Sequence, residues 1–266
     1  MVKAADTNHP SDSRTTLRDR LHAGETVVGP FLSLPSPDLV EILKIAGMDF
    51  CVIDTEHGMY GEETSINLVR AADAKGLHSV IRVPEVNSPL ITKALDTGAD
   101  AVMVPQIGSV LDAEQAVAAA RFHPEGTRGV MPHTRNAQYS SHEWPDYYAY
   151  SNKKAAVILQ IEGAEGLRSL PELVEVQGVD CFFLGVMDLS QSVGVPGQPN
   201  HPLVIEKISE TVALCKKNSR SVGIYTFTPE SAKNWVDMGI QFIGYDTDAG
   251  SILNAFRNIR KSLYFI

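Results

Sequence analysis

Eight apolar, strand-like runs separated by helical patterns constrain the fold of this chain more than any other feature of its sequence. The runs cover residues 27–34, 50–54, 79–84, 101–106, 156–162, 181–186, 221–227 and 242–248. Segments with helical periodicity lie between them, and several end in a glycine, which suits the C-terminus of a helix. Strands that alternate with helices in this number predict a single (β/α)8 barrel. A doubly wound open sheet is the alternative, although no glycine-rich phosphate-binding fingerprint follows the first strand.

The segments outside this alternation predict a polar tail and one long excursion. Residues 1–13 are polar and are predicted to be disordered, so the barrel takes up residues 14–266. Residues 123–155 separate the fourth helix from the fifth strand and are rich in aromatic residues. Long loops in compact domains are functional or disordered, and aromatic residues argue against disorder. We therefore expect this excursion to pack at a subunit contact or beside the active site.

Composition limits the partners and the location of the protein. A net charge of −9, from 23 basic and 32 acidic residues, argues against nucleic acid and anionic membrane as partners, since both need a basic surface. No apolar run approaches the ~20 residues that span a bilayer, and the first residues lack the apolar core of a signal peptide. We therefore expect a cytoplasmic protein without a nucleic acid or membrane partner.

Two carboxylates follow consecutive strand-like runs in the middle of the chain. In AVILQIE the two-residue period places Gln160 and Glu162 on the same face as Ala156 and Ile158, and the next run leads to Asp188. The carboxyl ends of consecutive parallel strands are neighbours, and a buried carboxylate without a partner is very unfavourable. The pair therefore predicts a site for an oxygen-ligated divalent cation. The alternative is that each acid caps the helix that follows its strand.

The second and third strands end in a candidate base and a candidate anion-binding group. Arg82 shares a face with Val80 and is predicted to point into the barrel, where its charge needs a barrel carboxylate or a bound substrate as partner. Asp54 and His57 face opposite ways on a continuing strand, so they can pair only if the chain turns near Thr55. A hydrogen bond between Asp54 and one imidazole nitrogen would leave the other nitrogen free as a general base.

The order and spacing of several motifs resemble those of the pyruvate-dependent class II aldolases, the family of the 4-hydroxy-2-oxoheptanedioate and 2-keto-3-deoxy sugar acid aldolases. The motifs are DTEHG, IRVP, FHPEGTRGV, LQIEGAEGL, GVDCFFLGVMDLS, PNHPLV and YDTDAG. The resemblance covers about residues 15–262, and macrophomate synthase is similar to the same family. It implies a (β/α)8 barrel whose last helix is exchanged between subunits, in a homo-hexamer built as a trimer of dimers.

The resemblance also implies how a metal and pyruvate are bound. Glu162 and Asp188 match the family's metal ligands, and Gln160 matches a residue that contacts pyruvate and bound water. Arg82 matches the arginine on the pyruvate oxygen. The two carboxylates, a bound 2-oxo acid and waters would complete an octahedral set of oxygen ligands, which suits Mg²⁺ or Mn²⁺, with Co²⁺ as a further option.

Further roles follow from the same resemblance. His57 matches the catalytic base and Asp54 its partner, while Asp96 matches an acid offered to the active site of a neighbouring subunit. The chain departs from the family at Met187, where a small residue usually precedes the aspartate. Backbone amides at Met187 and Asp188 would lie against the 2-oxo acid, so a methionine there reduces the room for substituents on its third carbon. We therefore expect pyruvate itself to be the natural nucleophile.

Together these residues predict a divalent-metal-dependent aldolase that cleaves or forms the carbon–carbon bond between pyruvate and an aldehyde in a 4-hydroxy-2-oxo acid. No lysine ends a predicted strand, which argues against a Schiff-base aldolase. Oxaloacetate decarboxylation, or enolate chemistry like that of macrophomate synthase, is the alternative reaction at the same site. A binding barrel without turnover is the alternative from another class.

Overall fold

The computed structural model describes residues 14–140 and 144–264, which form a closed barrel of eight parallel strands. The strands are β1 (Val27–Leu32), β2 (Phe50–Asp54), β3 (His78–Arg82), β4 (Ala101–Val104), β5 (Ala156–Ile161), β6 (Cys181–Leu184), β7 (Ser221–Thr226) and β8 (Phe242–Thr247). The helices are α1 (Leu17–His22), α2 (Pro37–Ile45), α3 (Glu62–Lys75), α4 (Ser88–Asp96), α5 (Val110–Ala120), α6 (Trp144–Lys154), α7 (Ala164–Leu173), α8 (Val186–Ser192), α9 (Pro202–Lys217), α10 (Pro229–Met238) and α11 (Asp248–Tyr264). The predicted (β/α)8 barrel is confirmed, whereas the tail predicted at 1–13 lies outside the described residues.

Seven of the eight strands are shorter than predicted, and after β4 and β6 the reason is a turn of the chain. β4 ends at Val104, and Gln106 has a left-handed backbone conformation with a φ of 56°, which a strand cannot continue. β6 ends at Leu184, and α8 begins at Val186 after a single connecting residue. Both turns lie at the carboxyl end of the barrel, where barrels of this kind carry their active sites.

Alternation along the strands fills the barrel and covers its outside. On β5, Ala156 and Ile158 share one face, as predicted, and lie among the interior residues, whereas Val157, Leu159 and Ile161 on the other face pack against the helices. Helix α1 closes the amino end of the barrel, because Leu17 and Leu21 are buried against the same interior cluster. The interior is therefore a packed core, and space for a ligand remains at the carboxyl end.

At the amino ends of the strands, the same hydrogen bond to an acid or amide side chain occurs four times. Each even-numbered strand follows a glycine, an apolar residue and an aspartate or glutamine, in the segments GMD, GAD, GVD and GIQ. The side-chain oxygen accepts a hydrogen bond of 2.8 to 3.1 Å from a backbone N–H of the preceding strand. The four bonds join Val28 to Asp49, Ser79 to Asp100, Val157 to Asp180 and Val222 to Gln241. The strands are thereby tied in pairs at the end opposite the candidate site.

The described parts of the excursion, residues 123–140 and 144–155, pack against the outside of the barrel and include α6. Arg135 donates a hydrogen bond of 2.8 Å to the Thr97 carbonyl oxygen and pairs with Asp73, so it holds the C-terminal ends of α3 and α4. Asn152 of α6 accepts a 2.7 Å hydrogen bond from the backbone N–H of Phe122. These contacts fix the excursion to its own barrel, and its place at a subunit contact stays a prediction.

The last helix exposes apolar side chains to solvent. On α11 the exposed fraction is between 38 and 69% for each of Ile252, Leu253, Phe256, Ile259 and Leu263. Exposed apolar side chains at this helical spacing are typical of an interaction surface. Exchange of this helix between subunits stays a prediction. Within the described ranges, none of the helices has both the length and the apolar character needed to cross a membrane.

Candidate active site

Two adjoining cavities open at the carboxyl end of the barrel. The first has a volume of about 350 Å³ and lies between Arg82 and Gln160. The second has a volume of about 490 Å³ and lies beside Glu162. His57 and Asp188 line both cavities, so the two are parts of one site. The structure thus brings most of the residues predicted at strand ends to a common space.

A buried ion pair fixes the guanidinium of Arg82 inside the barrel. Its Nε and Nη2 donate to the two oxygens of Asp54 at 2.9 and 2.7 Å, and its Nη1 lies 2.9 Å from an oxygen of Glu56. The guanidinium also lies over the ring of Phe31, 5.0 Å from the ring centroid. Burial opposes its charge, but Asp54 and Glu56 outweigh burial and raise the pKa of Arg82. Arg82 points inward as predicted, and its anion partners are barrel carboxylates.

The structure corrects the predicted pairing of Asp54 with the imidazole of His57. The chain turns at Thr55, as the pairing required, but the turn presents the backbone N–H groups of Glu56 and His57 to Asp54, at 3.1 and 3.2 Å. Arg82 takes the rest of the hydrogen-bonding capacity of Asp54. The His57 side chain is 72% exposed, and its Nε2 lies 3.9 Å from an oxygen of Glu56. The acid nearest to the imidazole is therefore Glu56.

Glu162 lies directly after β5 and is held by two amide groups. Its oxygens accept hydrogen bonds from the Gln106 backbone N–H at 3.0 Å and from Gln160 Nε2 at 2.5 Å. Burial, followed by the negative charge of Asp188, raises the pKa of Glu162. The hydrogen bonds oppose this rise without cancelling it. Glu162 is thus a buried carboxylate whose charge is incompletely compensated.

Asp188 faces the same cavity from a different element than predicted. β6 ends at Leu184, and Asp188 lies in the first turn of α8, where it is exposed. Gly185 keeps the space between the two elements open, because a Cβ at that position would lie 2.7 Å from a Glu162 oxygen and 3.0 Å from Gln160 Nε2. Glu162 and Asp188 are therefore close, as predicted, because they line the same cavity and their charges repel each other. They do not meet at the ends of adjacent strands.

The donor set fits a hard divalent cation. Glu162 and Asp188 line one cavity, and the nearby Gln160 Oε1 is buried and has no hydrogen-bond partner among the described residues. Carboxylate and amide oxygens are the ligands that Mg²⁺ prefers, and a cation between two acids relieves their repulsion. In residues 14–140 and 144–264, no group of three or more histidine, cysteine, aspartate or glutamate side chains is arranged to hold a metal. The pair is thus an incomplete coordination site that further oxygen ligands would complete.

Met187 borders the site and does not pack into the barrel wall. Its side chain is 43% exposed and lines the 350 Å³ cavity beside Gly185 and Val186. The thioether therefore occupies space next to the strand ends, as the sequence suggested. Its effect on the choice of 2-oxo acid stays a prediction.

Asp96 lies at the opposite end of α4 from the two cavities. It is the last residue of that helix and pairs with Arg128 at 2.6 Å. Burial raises the pKa of Asp96, although Arg128 opposes the rise. Asp96 lines a separate cavity of about 670 Å³ outside the strands, beside α3 and α4. A contact that offered Asp96 to a neighbour would join this side of one barrel to the carboxyl end of another, and not carboxyl face to carboxyl face.

The structure adds Gln106 and Tyr225, to which sequence analysis assigned no role. Gln106 follows β4 and links Glu162, through its backbone N–H, to Glu56, through a side-chain hydrogen bond of 3.3 Å. Tyr225 lies on β7 and lines the 350 Å³ cavity. β4 and β7 carry no charged residue at their ends, so a search for charged strand ends passes over both. Their position after or at the end of a barrel strand was the signal that could have found them.

Proteins of one family resemble this chain along most of its length. The family model of HpcH/HpaI aldolase/citrate lyase matches residues 28–255. A 5-keto-4-deoxy-D-glucarate aldolase of Klebsiella pneumoniae is 33% identical over 244 residues, which cover 91% of this chain and 93% of the relative. A 4-hydroxy-2-oxo-heptane-1,7-dioate aldolase of Escherichia coli is 32% identical over 239 residues, which cover 88% of this chain and 89% of the relative. The crystal structure of a HpcH/HpaI aldolase/citrate lyase family protein from Burkholderia cenocepacia J2315 has a TM-score of 0.88 at 33% identity, covering 93% of this chain and 98% of that one. With its barrel, its acids at the carboxyl end of that barrel and this match, the chain belongs to the HpcH/HpaI aldolase/citrate lyase family.

Proposed function

We propose that the protein is a divalent-metal-dependent aldolase that joins pyruvate to an aldehyde, or splits the corresponding 4-hydroxy-2-oxo acid. The observation that carries the proposal is the pair Glu162 and Asp188, which repel each other in one cavity beside the unpartnered Gln160 Oε1. The aldolase names of relatives at 32 and 33% identity support the same class of reaction. A bound Mg²⁺, Mn²⁺ or Co²⁺ would supply Lewis-acid stabilisation of the charge that develops on the 2-oxo acid.

Arg82 would stabilise the same developing charge from the opposite side. Cleavage of the carbon–carbon bond leaves negative charge on the keto oxygen of pyruvate, and a preorganised donor stabilises it without rearrangement. Asp54 and Glu56 hold the guanidinium in place before any substrate binds. Gln160, which lines the same cavity, would contact the bound 2-oxo acid or a water.

His57 would accept the proton of the 4-hydroxyl group. It lines both cavities and its imidazole is mostly exposed, so it can reach a bound substrate. His57→Ala should lower aldol cleavage by about 10²- to 10⁴-fold, the range for a positioned general base. The same variant should lower oxaloacetate decarboxylation far less, because that reaction takes no proton from a hydroxyl. Equal losses in the two assays would assign His57 to the placement of substrate or metal instead.

Removal of the metal tests the proposal as a whole. Dialysis against a chelator should abolish aldol cleavage, and Mg²⁺, Mn²⁺ or Co²⁺ should restore it, since Glu162 and Asp188 then regain their cation. Full turnover in excess chelator would refute the proposal. Trapping of the substrate on a lysine by borohydride would refute it as well, because that result belongs to Schiff-base catalysis.

Oxaloacetate decarboxylation is the second candidate, and the surroundings of His57 favour it. The imidazole lacks the hydrogen bond to Asp54 that would orient a general base, and decarboxylation does not need that base. Separate incubations with oxaloacetate and with pyruvate plus an aldehyde distinguish the candidates. Carbon dioxide release without aldol product would favour the decarboxylase or enolate chemistry like that of macrophomate synthase. Absence of product in both would favour a binding barrel.

We also propose a homo-hexamer in which α11 is exchanged between subunits. The exposed apolar residues of α11 support this arrangement, because such a surface is stable in water only when another surface covers it. Asp96, which lies away from its own site, would then serve a neighbouring one. A fully active monomer in light scattering would contradict the proposal.

A further inference from the structure

One side of the 350 Å³ cavity is aromatic. The ring of Phe31 lies 5.3 Å from that of Tyr225, edge to face, and the ring of Tyr225 lies 4.9 Å from that of Phe227 in the same manner. Phe183 extends the cluster below, 5.8 Å from Phe31. All four residues line the cavity, and we name Phe31, Tyr225 and Phe227 the aromatic wall. It begins under the guanidinium of Arg82 and runs to the cavity mouth, where Phe227 is 42% exposed.

A glycine on β8, the strand between β1 and β7, leaves room for this cluster. A Cβ on Gly244 of β8 would lie 2.8 Å from a ring carbon of Phe31 and 3.1 Å from one of Phe183. The rings therefore lean into space that only glycine leaves open. On β7 the neighbour of Tyr225, Ile224, packs against the helices, so the alternation of the strand directs Tyr225 into the barrel. Phe31 and Tyr225 thus belong to the barrel interior, and Phe227 lies in the turn directly after β7.

The hydroxyl group of Tyr225 is free to bind a ligand. In the described part of the chain it makes no hydrogen bond, although the side chain is largely enclosed by its neighbours. Tyr225 lines the 350 Å³ cavity together with Asp54 and Arg82. Burial raises the pKa of Tyr225, so at neutral pH the hydroxyl keeps its proton and can donate it in a hydrogen bond.

The charges around the two cavities disfavour a substrate with a second carboxylate. Among the described lining residues, Arg82 is the one lysine or arginine, and Asp54 and Glu56 already pair with it. The lining acids are Asp54, Glu56, Glu162, Glu165 and Asp188. A metal between Glu162 and Asp188 would be engaged by the first carboxylate of a 2-oxo acid. Within the described residues of its own chain, a distal carboxylate would therefore meet acids and no unpaired lysine or arginine.

We infer that the aldehyde partner carries an uncharged, apolar chain that packs on the aromatic wall, with its carbonyl oxygen bound by the Tyr225 hydroxyl. This inference rests on the proposed aldolase function. In the addition direction pyruvate loses one methyl proton to a water, and its third carbon bonds to the aldehyde carbon as the C=O π bond opens. The aldehyde oxygen then takes from His57 the proton that His57 accepts in cleavage, and becomes the 4-hydroxyl. Tyr225 would donate a hydrogen bond to that oxygen as its charge grows. The relatives named for a heptane-1,7-dioate and a glucarate act, by those names, on dicarboxylates.

Aldehyde selectivity in the Mg²⁺-loaded full chain tests the inference. With pyruvate fixed, kcat/KM is measured for hexanal and phenylacetaldehyde, and for succinic semialdehyde, which carries a carboxylate. The two apolar aldehydes should be preferred by about tenfold or more, the effect of one good aromatic contact and the absence of charge repulsion. A preference for succinic semialdehyde would overturn the inference.

Three variants assign the preference to the aromatic wall. Phe227→Ala should raise KM for hexanal by about tenfold and lower the hexanal to succinic semialdehyde selectivity. Tyr225→Phe should lower kcat for every aldehyde by about tenfold, because the donor to the reacting oxygen is lost. Tyr245→Phe is the matched control, since Tyr245 lies on the other face of β8 and lines neither cavity. If either wall variant behaves like the control, the inference is overturned.

A measurement without aldehyde separates this inference from the proposed function. Exchange of the pyruvate methyl protons with deuterium oxide, followed by NMR, requires the metal site and the substrate but no aldehyde. Exchange without the expected aldehyde selectivity would overturn the inference and leave the proposed function standing. Absence of exchange with Mg²⁺, Mn²⁺ and Co²⁺ would overturn both. Because Phe227 is exposed, Phe227→Ala should fold even if Tyr225→Phe does not. Its hexanal selectivity then tests the inference by itself.

Discussion

Buried carboxylates at the two ends of the barrel differ in how far neighbouring groups compensate their charge. At the amino end, Asp180 contacts Arg18 at 2.7 Å, His22 at 2.9 Å and Arg121 at 3.2 Å, and accepts the N–H of Val157. Burial opposes its ionised form, but these partners outweigh burial and lower the pKa of Asp180. At this end the buried carboxylate joins α1 to the strands.

At the carboxyl end the balance is reversed. Burial and the charge of Asp188 raise the pKa of Glu162, and the amide groups of Gln106 and Gln160 only partly offset them. Arg82, the one lysine or arginine among the described residues that line the two cavities, is already paired with Asp54 and Glu56. The difference teaches that burial alone does not mark a functional carboxylate. A buried acid without its own cation is the one that is ready to bind a cation from outside.

The largest expected effect is the loss of stability on removing the charge of Asp180. Asp180→Asn should lower the free energy of unfolding by about 3 to 5 kcal/mol, because it leaves Arg18 and Arg121 without their anion. Urea unfolding at pH 7 measures the change. Asp237→Asn, at an exposed position of α10, is the matched control. A loss as small as that of the control would mean that the amino-end network is not structural.

The corresponding change at the carboxyl end should act on activity and spare stability. Glu162→Gln should lower metal-dependent turnover by about 10²-fold or more, because a metal ligand is lost. Its melting temperature should stay equal or rise, since the repulsion from Asp188 is removed while the amide can keep the hydrogen bond from Gln106. Glu172→Gln, exposed on α7, serves as the control. If Glu162→Gln lowered the melting temperature as much as Asp180→Asn does, the carboxylates at the two ends would not differ in their effect on stability.

Acid pH should weaken the amino end through Asp100. Burial opposes its ionised form, but His78, Lys154 and Arg14 outweigh burial and lower the pKa of Asp100 to about 2. The value lies below the ~3.9 of an aspartate in an unfolded chain, so the stabilisation is complete above about pH 4 and is lost as the pH falls towards 2.

Comparison with Asp100→Asn tests whether this stabilisation is lost as the pH falls. The difference in unfolding free energy between the unmodified chain and the variant should be about 2 to 3 kcal/mol at pH 7 and should shrink as the pH falls from 4 to 2. Urea titrations at several pH values in this range give both quantities. A difference that does not change with pH would show that Asp100 contributes through its hydrogen bond to Ser79 and not through its charge.

The smallest expected effect concerns the shape of the carboxyl end. Met187→Ala should improve 2-oxobutyrate relative to pyruvate by about tenfold, because the thioether no longer fills the space at the third carbon of the donor. The ratio of kcat/KM for the two donors is the measurement. Met59→Ala, at a position that is 96% exposed, is the control. An unchanged ratio with a lowered melting temperature would make Met187 a packing residue.

Local pattern was sufficient to predict the fold and much of the site. The two-residue period of AVILQIE predicts which residues enter the barrel, and the structure places Ala156 and Ile158 in the interior. The same period predicts an inward Arg82. Because barrel chemistry gathers at the carboxyl ends of the strands, Glu162, His57 and Asp188 could be predicted to share one site from their positions alone.

The partners of these groups could not be predicted in this way. Asp54 lies near His57 in sequence, yet it binds Arg82 from the next strand, because a guanidinium offers two parallel donors where the imidazole offers one. Asp96 lies in a helix whose end points away from the site, a direction that sequence spacing does not reveal. The free hydroxyl of Tyr225 and the raised pKa of Glu162 likewise depend on residues from distant parts of the chain.

The sequence by itself determined the barrel, the face of each strand and the gathering of acids at its carboxyl end, because these follow from periodicity within a few residues. Tertiary structure alone decided which acid is compensated and which is left with excess charge. Charge compensation and hydrogen bonding depend on distances of a few ångströms between residues far apart in the chain, and only the closed barrel sets those distances.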